Sequence, residues 1–493
     1  MSTNWVVASR SAQQTAHTSG MTEPGTQALY QSRIRIYPRS VKGRFRTIKW
    51  AVLGFAYGVY FLLPWLRWER NVGPDQAVLF DIVQRKFYLF GLVAHAQDLF
   101  WLAGFLMIAA LLLFFVTGIA GRVFCGYFCF QTLWTDLYLL IERLVQGDRV
   151  ARIRLDKSPL GVNKLLRKAG THLLWLLVAF GTGLTFTLYW GNAPTLVVQW
   201  FTGSAPFPAY ATTLFLTATT YVMAGLAREQ VCTYMCPYAR FQSVMFDADT
   251  RIVAYDVARG EGSAGRHKVT RSLKSRPQRE QQGVGDCIDC GYCVQVCPTG
   301  IDIRDGLQVQ CISCALCIDA CDTIMDSLGW PRGLISYTSE RQAQGGISRI
   351  WKPRTFAYGA VLVAAIGALG WSVSHQAPLE MSVVQVRQPL FVRLSDGRIQ
   401  NSYELHLANK TDQPLQLAVM MRGLAGAELD IGQLASLQLA AQHSVRVMAR
   451  VRWESSHRVK GSRSFHFDIV PQQRQEIGMI SAPATFFIPG SEH

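Results

Sequence analysis

The chain has 493 residues, with 49 Lys+Arg against 33 Asp+Glu and a formal net charge of +16. Only 17% of residues are charged and 49% are hydrophobic, well short of the roughly 25% charge usual in soluble domains, which argues against a simple soluble enzyme. Twelve cysteines are too few for a disulfide scaffold, and all lie between Cys125 and Cys321, a clustering that points to metal or redox chemistry in a reducing compartment.

At about 150 residues per unit the length allows roughly three domain-sized units. Residues 1–46 are polar and basic, with no apolar core before Trp50, so no cleavable signal peptide is expected. Residues 47–250 read as a transmembrane region. Uncharged runs predict spans over 48–66 and 99–121, and 59 uncharged residues from Ala169 to Ala227 hold two more. The turn signals at 191–194 and 204–208 divide that run into 171–190 and 207–227, each about the 20 residues a bilayer requires. A fifth span is expected over 355–374.

Orientation follows the bias of Lys and Arg in short loops. Residues 1–49 carry eight basic residues and one acidic, and 122–168 carry nine and four, whereas 191–206 carry none of either. The N-terminus, 122–168 and 228–354 are therefore expected in the cytoplasm, and 380–493 in the periplasm, around a multi-pass inner-membrane protein. The positive surplus is explained by this membrane bias, with no role for nucleic acid.

Residues 251–286, rich in Gly, Ser and basic side chains over 257–286, read as a flexible basic linker. Beyond residue 380, YELHLAN (403–409), LQLAVMM (415–421), SVRVMARV (444–451) and RSFHFDIV (463–470) alternate, with turn signals at 395–397 and 409–414. That pattern predicts a small antiparallel β-sandwich.

Two cysteine runs carry the chemistry. Cys287-x2-Cys290-x2-Cys293-x3-Cys297-Pro298 is the bacterial ferredoxin spacing, and Cys311, Cys314, Cys317 and Cys321 repeat it with Asp322 in place of the proline. In that pattern three close thiolates take three corners of a [4Fe–4S] cube and the fourth ligand crosses over. Cys287, Cys290, Cys293 and Cys321 are then expected to hold one cluster, and Cys297, Cys311, Cys314 and Cys317 the other. Tetrahedral zinc is a poorer match to two four-cysteine runs of this kind. Two such clusters form a relay more readily than a purely structural staple.

A second constellation is Cys125-x3-Cys129, after the second span, and Cys232-x3-Cys236-Pro237, after the fourth. Positions i and i+4 share a helix face, so each pair is expected to form a two-thiolate clamp. Together they offer four soft sulfurs suited to Cu(I), zinc or an iron–sulfur cluster, with Met235 and Met245 as possible soft neighbours. Buried structural cysteine and a reversible disulfide are the competing readings. His95 starts the second span on the outer side and His172 the third on the inner side, so they cannot share a membrane haem; His95, His375 and Asp98 read as interfacial anchors.

GRVFCGYFCFQTLWTD (121–136), REQVCTYMCPYARFQ (228–242), CIDCGYCVQVCPTGIDIRDG (287–306) and CISCALCIDACDTIMDSLGWPRGLISY (311–337) resemble the CcoG/FixG/RdxA family, from about Arg33 to the C-terminal sandwich. The resemblance implies a multi-domain membrane protein. Its parts are an α-helical bundle, a ferredoxin-like two-cluster cytoplasmic domain (287–340) and a periplasmic immunoglobulin-like domain (380–493). It further implies a cupric reductase supplying Cu(I) to cbb3-type cytochrome c oxidase. Cys125, Cys129, Cys232 and Cys236 would be the copper site, and the partners would be oxidase assembly factors, copper-handling proteins and membrane lipid. The electron donor would be a cytoplasmic protein or quinol. The membrane portion is also similar to quinol-dehydrogenase-type subunits, which leaves a quinol oxidoreductase or an assembly scaffold with structural clusters as alternatives. Phe130 stands where the family pattern has Pro, so the first clamp is expected to continue as regular helix.

Overall fold

A computed structural model describes residues 35–489 apart from 274, 433–436, 455–460 and 473–476. Most of the expected N-terminal segment, 1–34, lies outside the described residues. The chain forms two compact units, one of residues up to Leu66 with Gln76–Gly367, the other of Arg67–Asp75 with the residues from Ala368 onward.

In the first unit, helix α1 (Arg44–Leu62) is followed by a three-stranded antiparallel sheet of β1 (Val78–Asp81), β2 (Lys86–Leu89) and β3 (Leu92–His95). This small sheet has no counterpart in the sequence reading, because its strands are only four residues long. Asp98 accepts the backbone N–H of His95 at 2.9 Å, capping the turn into α2 (Leu99–Ala120). Then come α3 (Val123–Tyr127), α4 (Phe130–Gln146), α5 (Arg149–Lys157), α6 (Val162–Leu188), α7 (Ala193–Thr202) and α8 (Phe207–Thr220).

Among the described residues four helical segments are long and apolar enough to cross a membrane: Arg44–Trp65, Ala96–Ala120, Val162–Leu188 and Pro353–Ser374. The expected 207–227 span differs from these. It is α-helical for only 14 residues and continues as a π-helical turn, Tyr221–Ala227.

After a second π-helical turn, Val231–Met235, the chain runs through α9 (Pro237–Val244), β4 (Ile252–Tyr255), α10 (Val257–Glu261), α11 (Arg276–Gln281), α12 (Tyr292–Val296) and α13 (Leu316–Leu328). Strand β5 (Ile335–Thr338), α14 (Glu340–Ala343) and α15 (Pro353–Ser374) complete the series. The expected flexible linker is corrected here. β4 pairs antiparallel with β5, and Arg279 is fully buried, donating to the carbonyls of His267, Gly285 and Cys287. A buried guanidinium with this many acceptors ties the segment to the cysteine domain, although its composition reads as loose.

The second unit is a sandwich of two antiparallel sheets. One is ordered β10 (Glu428–Asp430), β12 (Ser444–Trp453), β8 (Ile399–Asn409), β6 (Leu379–Gln385), with β7 (Val392–Arg393) also on β8. The other is ordered β11 (Leu437–Leu439), β9 (Leu415–Arg422), β13 (Gly461–Pro471), β14 (Ile480–Ile488). Alternate residues of β8 face inward, and Leu405, Leu407, Leu417, Phe465, Phe467 and Phe486 form a core sealed from water.

Candidate iron–sulfur and thiol sites

The two ferredoxin runs repeat in backbone as well as in spacing. Asp289 and Gly291 adopt φ of 51° and 64°, and the matching Ser313 and Ala315 adopt 52° and 60°. A left-handed residue on either side of the middle cysteine curls each loop tightly. α12 and α13 then start directly after Gly291 and Ala315.

These turns gather the thiols into two recesses. One is lined by Cys287, Cys290, Cys293 and Cys321 among apolar residues including Ile324, Leu334 and Ile335. The other is lined by Cys297, Cys311, Cys314 and Cys317, with Val253, Ile303 and Ile312. The fourth cysteine of each run thus sits with the first three of the other run. Cys293 borders both recesses, so they are immediate neighbours.

Burial raises several of these thiols: Cys293, Cys314 and Cys321 rise to about 12, and Cys317 well above its usual value, with neighbouring cysteines adding to the effect. Four such sulfurs around an apolar recess are the donor set of a [4Fe–4S] cube, whose iron would offset the cost of ionising them. Among the described residues no group of three or more His, Cys, Asp or Glu side chains is placed to hold a single metal ion.

The two membrane-proximal motifs depart from the expected helical clamp. Cys125 lies in α3, but Cys129 is extended, with φ −62° and ψ 128°, and caps the start of α4. Cys232 lies in the second π-helical turn, and Cys236 is likewise extended, with φ −83° and ψ 107°, ahead of Pro237. Neither pair therefore shares one helix face. Phe130 does not carry the helix through. The Thr132 hydroxyl instead donates to the Cys125 carbonyl at 2.5 Å, satisfying the broken end of α3.

The four thiols nonetheless lie near enough to raise one another's pKa. Burial pushes Cys125 up to about 12, with Cys129, Cys232 and Cys236 contributing further. Burial likewise takes Cys232 to about 12, with Cys129, Cys236 and Glu229 adding to it. The Cys125 thiol donates to Gln242 Oε1 at 3.1 Å, and Gln242, fully buried, donates to Thr117. Of the two methionines, Met245 is buried and Met235 is exposed.

Sequence reasoning missed what joins the two sites. Gly126 lies so close to the second ferredoxin run that a Cβ there would stand 2.7 Å from the Ile312 carbonyl oxygen and 2.9 Å from Cys314 Cα. Tyr127 donates to the Cys314 carbonyl at 3.2 Å. Arg122, buried, donates to the carbonyls of Val309, Cys311 and Ala239, and its charge acts on Cys125, Cys311, Cys236 and Cys232. Its Nε is buried with no hydrogen-bond partner, which suits an anionic metal–thiolate group beside it.

The same docking extends to α1. The Asp319 carboxylate on α13 accepts the N–H groups of Phe45 and Arg46 at 3.2 and 2.7 Å, capping α1 from the cysteine domain. Lys49 and Arg46 in turn pair with buried Asp136 on α4 at 2.8 and 3.3 Å.

Residues 102–146 match a 4Fe-4S binding domain, 227–340 a 4Fe-4S dicluster domain, and 369–489 the IG-like fold at the C-terminus of FixG. The chain is 44% identical to protein RdxB of Cereibacter sphaeroides over 83% of its length and 87% of that protein's. It is 42% identical to RdxA of the same organism, over 87% of this chain and 90% of RdxA. It is 39% identical to nitrogen fixation protein FixG of Rhizobium meliloti, over 83% of each. The chain belongs to the FixG/RdxA family. With its iron–sulfur domains, its long apolar helices and its Ig-like domain, this FixG/RdxA protein is an iron–sulfur electron-transfer protein of the membrane.

Proposed function

We propose that this FixG/RdxA protein reduces Cu(II) to Cu(I) at its membrane-proximal thiols and supplies Cu(I) for assembly of a cbb3-type oxidase. The observation that carries this reading is the contact of Gly126 with Cys314, which sets the Cys125 loop directly on a ferredoxin loop. A thiol site and a one-electron relay sharing an interface are what metal reduction requires. Cys287, Cys290, Cys293 and Cys321 would hold one cluster, and Cys297, Cys311, Cys314 and Cys317 the other. When bound, such clusters supply one-electron storage and transfer.

The remaining work belongs to side chains. Two soft sulfurs suffice to hold Cu(I), so a site without three convergent ligands still fits the reduced ion. Soft thiolates favour Cu(I) over Cu(II), which makes bound copper easier to reduce. Arg122 offsets the negative charge that accumulates on the thiolates, and Gln242 orients the Cys125 sulfur. The step is an electron transfer and needs no general acid or base. The Lys and Arg bias supports a cytoplasmic site and a periplasmic sandwich, with oxidase assembly factors and copper-handling proteins as partners and membrane lipid around the spans.

The test uses anaerobically purified protein, reduced with dithionite, then given Cu(II) and a Cu(I)-selective chromogenic chelator. Cu(I) should form with the native protein and be largely lost when Cys125, Cys129, Cys232 and Cys236 are all changed to Ser with iron content intact. Equal Cu(I) from both proteins sinks the assignment of the site.

A further inference from the structure

Tyr255 closes β4 and lines the recess of Cys287, Cys290, Cys293 and Cys321. Its backbone is fixed in the β4–β5 ladder opposite Ile335, which lines the same recess. The side chain is buried in one apolar cluster with Cys287, Ile303, Met325 and Leu334. A ring packed this closely on a paired strand has no second place to put its hydroxyl.

Room for that hydroxyl is made by a glycine. A Cβ on Gly260 would stand 2.1 Å from the Tyr255 hydroxyl oxygen, so a larger residue there would displace the ring. Gly260 in turn touches the cysteine run, since its carbonyl accepts the Cys287 N–H at 3.0 Å. Asp256 holds the glycine in place as the N-cap of α10. Its side chain accepts the Arg259 N–H at 3.0 Å and its carbonyl the Gly260 N–H at 2.8 Å. The hydroxyl therefore lies where Gly260 meets the first cysteine of the run.

The oxygen is sealed from water and meets no partner in hydrogen-bonding geometry while Cys287 is a neutral thiol. A buried hydroxyl left this way is costly, and a neutral thiol is a weak acceptor. A metal-bound sulfur is anionic and accepts far better. Burial first, and the Cys287 sulfur second, raise the Tyr255 pKa, so the phenol keeps its proton and acts as a donor. Tyr337 and Tyr127, beside the other run, instead direct their hydroxyls to the Ser313 and Cys314 carbonyls at 2.5 and 3.2 Å.

We propose that the Tyr255 hydroxyl donates a hydrogen bond to the Cys287 sulfur of its cluster and thereby raises the reduction potential of that cluster. The reading rests on Cys287 being a ligand in that recess, as proposed above, and does not depend on what the membrane-proximal thiols reduce. Reduction adds one electron to the cluster, part of whose charge falls on the sulfurs; no bond breaks and no proton moves. A donor aimed at one of those sulfurs therefore favours the reduced state. Tyr255 acts through a ligand, as a positioning residue. Its effect falls on one of two neighbouring clusters, so it helps set where an electron rests between them.

The experiment is a potentiometric titration of the full-length protein in detergent, kept anaerobic and followed by electron paramagnetic resonance. Tyr255→Phe removes only the hydroxyl. It should weaken reduction about threefold at the cluster whose signal Cys287→Ser disturbs, with iron content and the other signal native. For one electron that is a downward shift of about 30 mV, tenfold being about 59 mV. A tyrosine fluorinated beside its hydroxyl, placed at position 255, is a stronger donor of nearly the same size and should move the same midpoint upward. A packing role cannot give opposite shifts from the two replacements. A native midpoint in either iron-loaded variant, shifts of one sign, or shifts carried by the other cluster overturn the proposal. If Tyr255→Phe loses iron, the fluorinated protein decides by itself. Cys287→Ser that leaves both signals unchanged removes the ligand on which the proposal rests, a failure distinct from native midpoints in the Tyr255 variants.

Discussion

Gly126 and Cys314 are in backbone contact: a Cβ on the glycine would lie 2.9 Å from the cysteine's Cα, and no side chain stands between them. The loop between Cys125 and Cys129 therefore rests on a ferredoxin loop with no room for adjustment. Gly126→Ala should push the two apart and cost about 1–3 kcal/mol of stability, as overpacking does. Cu(I) formation should slow more than iron content falls. The chelator assay and iron analysis on the same preparation measure both, and unchanged Cu(I) formation would show that the contact does not matter.

Arg122 places one buried positive charge between the two sets of thiols. Arg122→Gln should lower the potential of the cluster nearer Cys311, on the order of tens of millivolts, because a nearby cation favours the more negative, reduced state. Arg122→Lys should restore part of the shift, since it keeps the charge but not the planar fork. A potentiometric titration followed by electron paramagnetic resonance reads the change. A packing role alone would leave the potential where it was.

Asp136 gives a pH-dependent contribution to stability. Burial pushes its carboxyl up, but Lys49 and Arg46 outweigh that and hold it below the usual carboxylate range. Because the folded value is lowered, the stabilisation is fully present above the ordinary carboxylate pKa and is lost as pH falls through the lowered value. Asp136→Asn strands two buried cations and should cost about 3–5 kcal/mol at neutral pH. Thermal unfolding in detergent from neutral to acid pH checks both statements, and a native melting temperature for the variant would refute them.

The crossed arrangement of cysteines gives a selective outcome. Cys321→Ser should disturb the same paramagnetic signal as Cys287→Ser, and Cys297→Ser the same signal as Cys311→Ser, because those pairs line the same recesses. Ligation confined to each run would exchange the pairings.

The cysteine runs, the apolar spans and the alternating strands of the sandwich were legible in the sequence because each is a local pattern. Thiol spacing sets how a loop curls, an uncharged stretch has few places to go but lipid, and a period of two marks a half-buried strand. The break at Cys129 was not legible. Phe130 carries no helix-stopping chemistry, and the break is stabilised by Thr132 on the Cys125 carbonyl and by the approach of Gly126 to Cys314. The segment 257–286 was misread for a similar reason, since the acceptors that bury Arg279 exist only once the chain has folded around it. Sequence by itself determined which atoms can bind metal and that several stretches are apolar enough to cross a membrane. The tertiary structure decided that α3 rests on the second ferredoxin loop and that Arg122 serves both sites, because these depend on contacts between residues more than 180 positions apart.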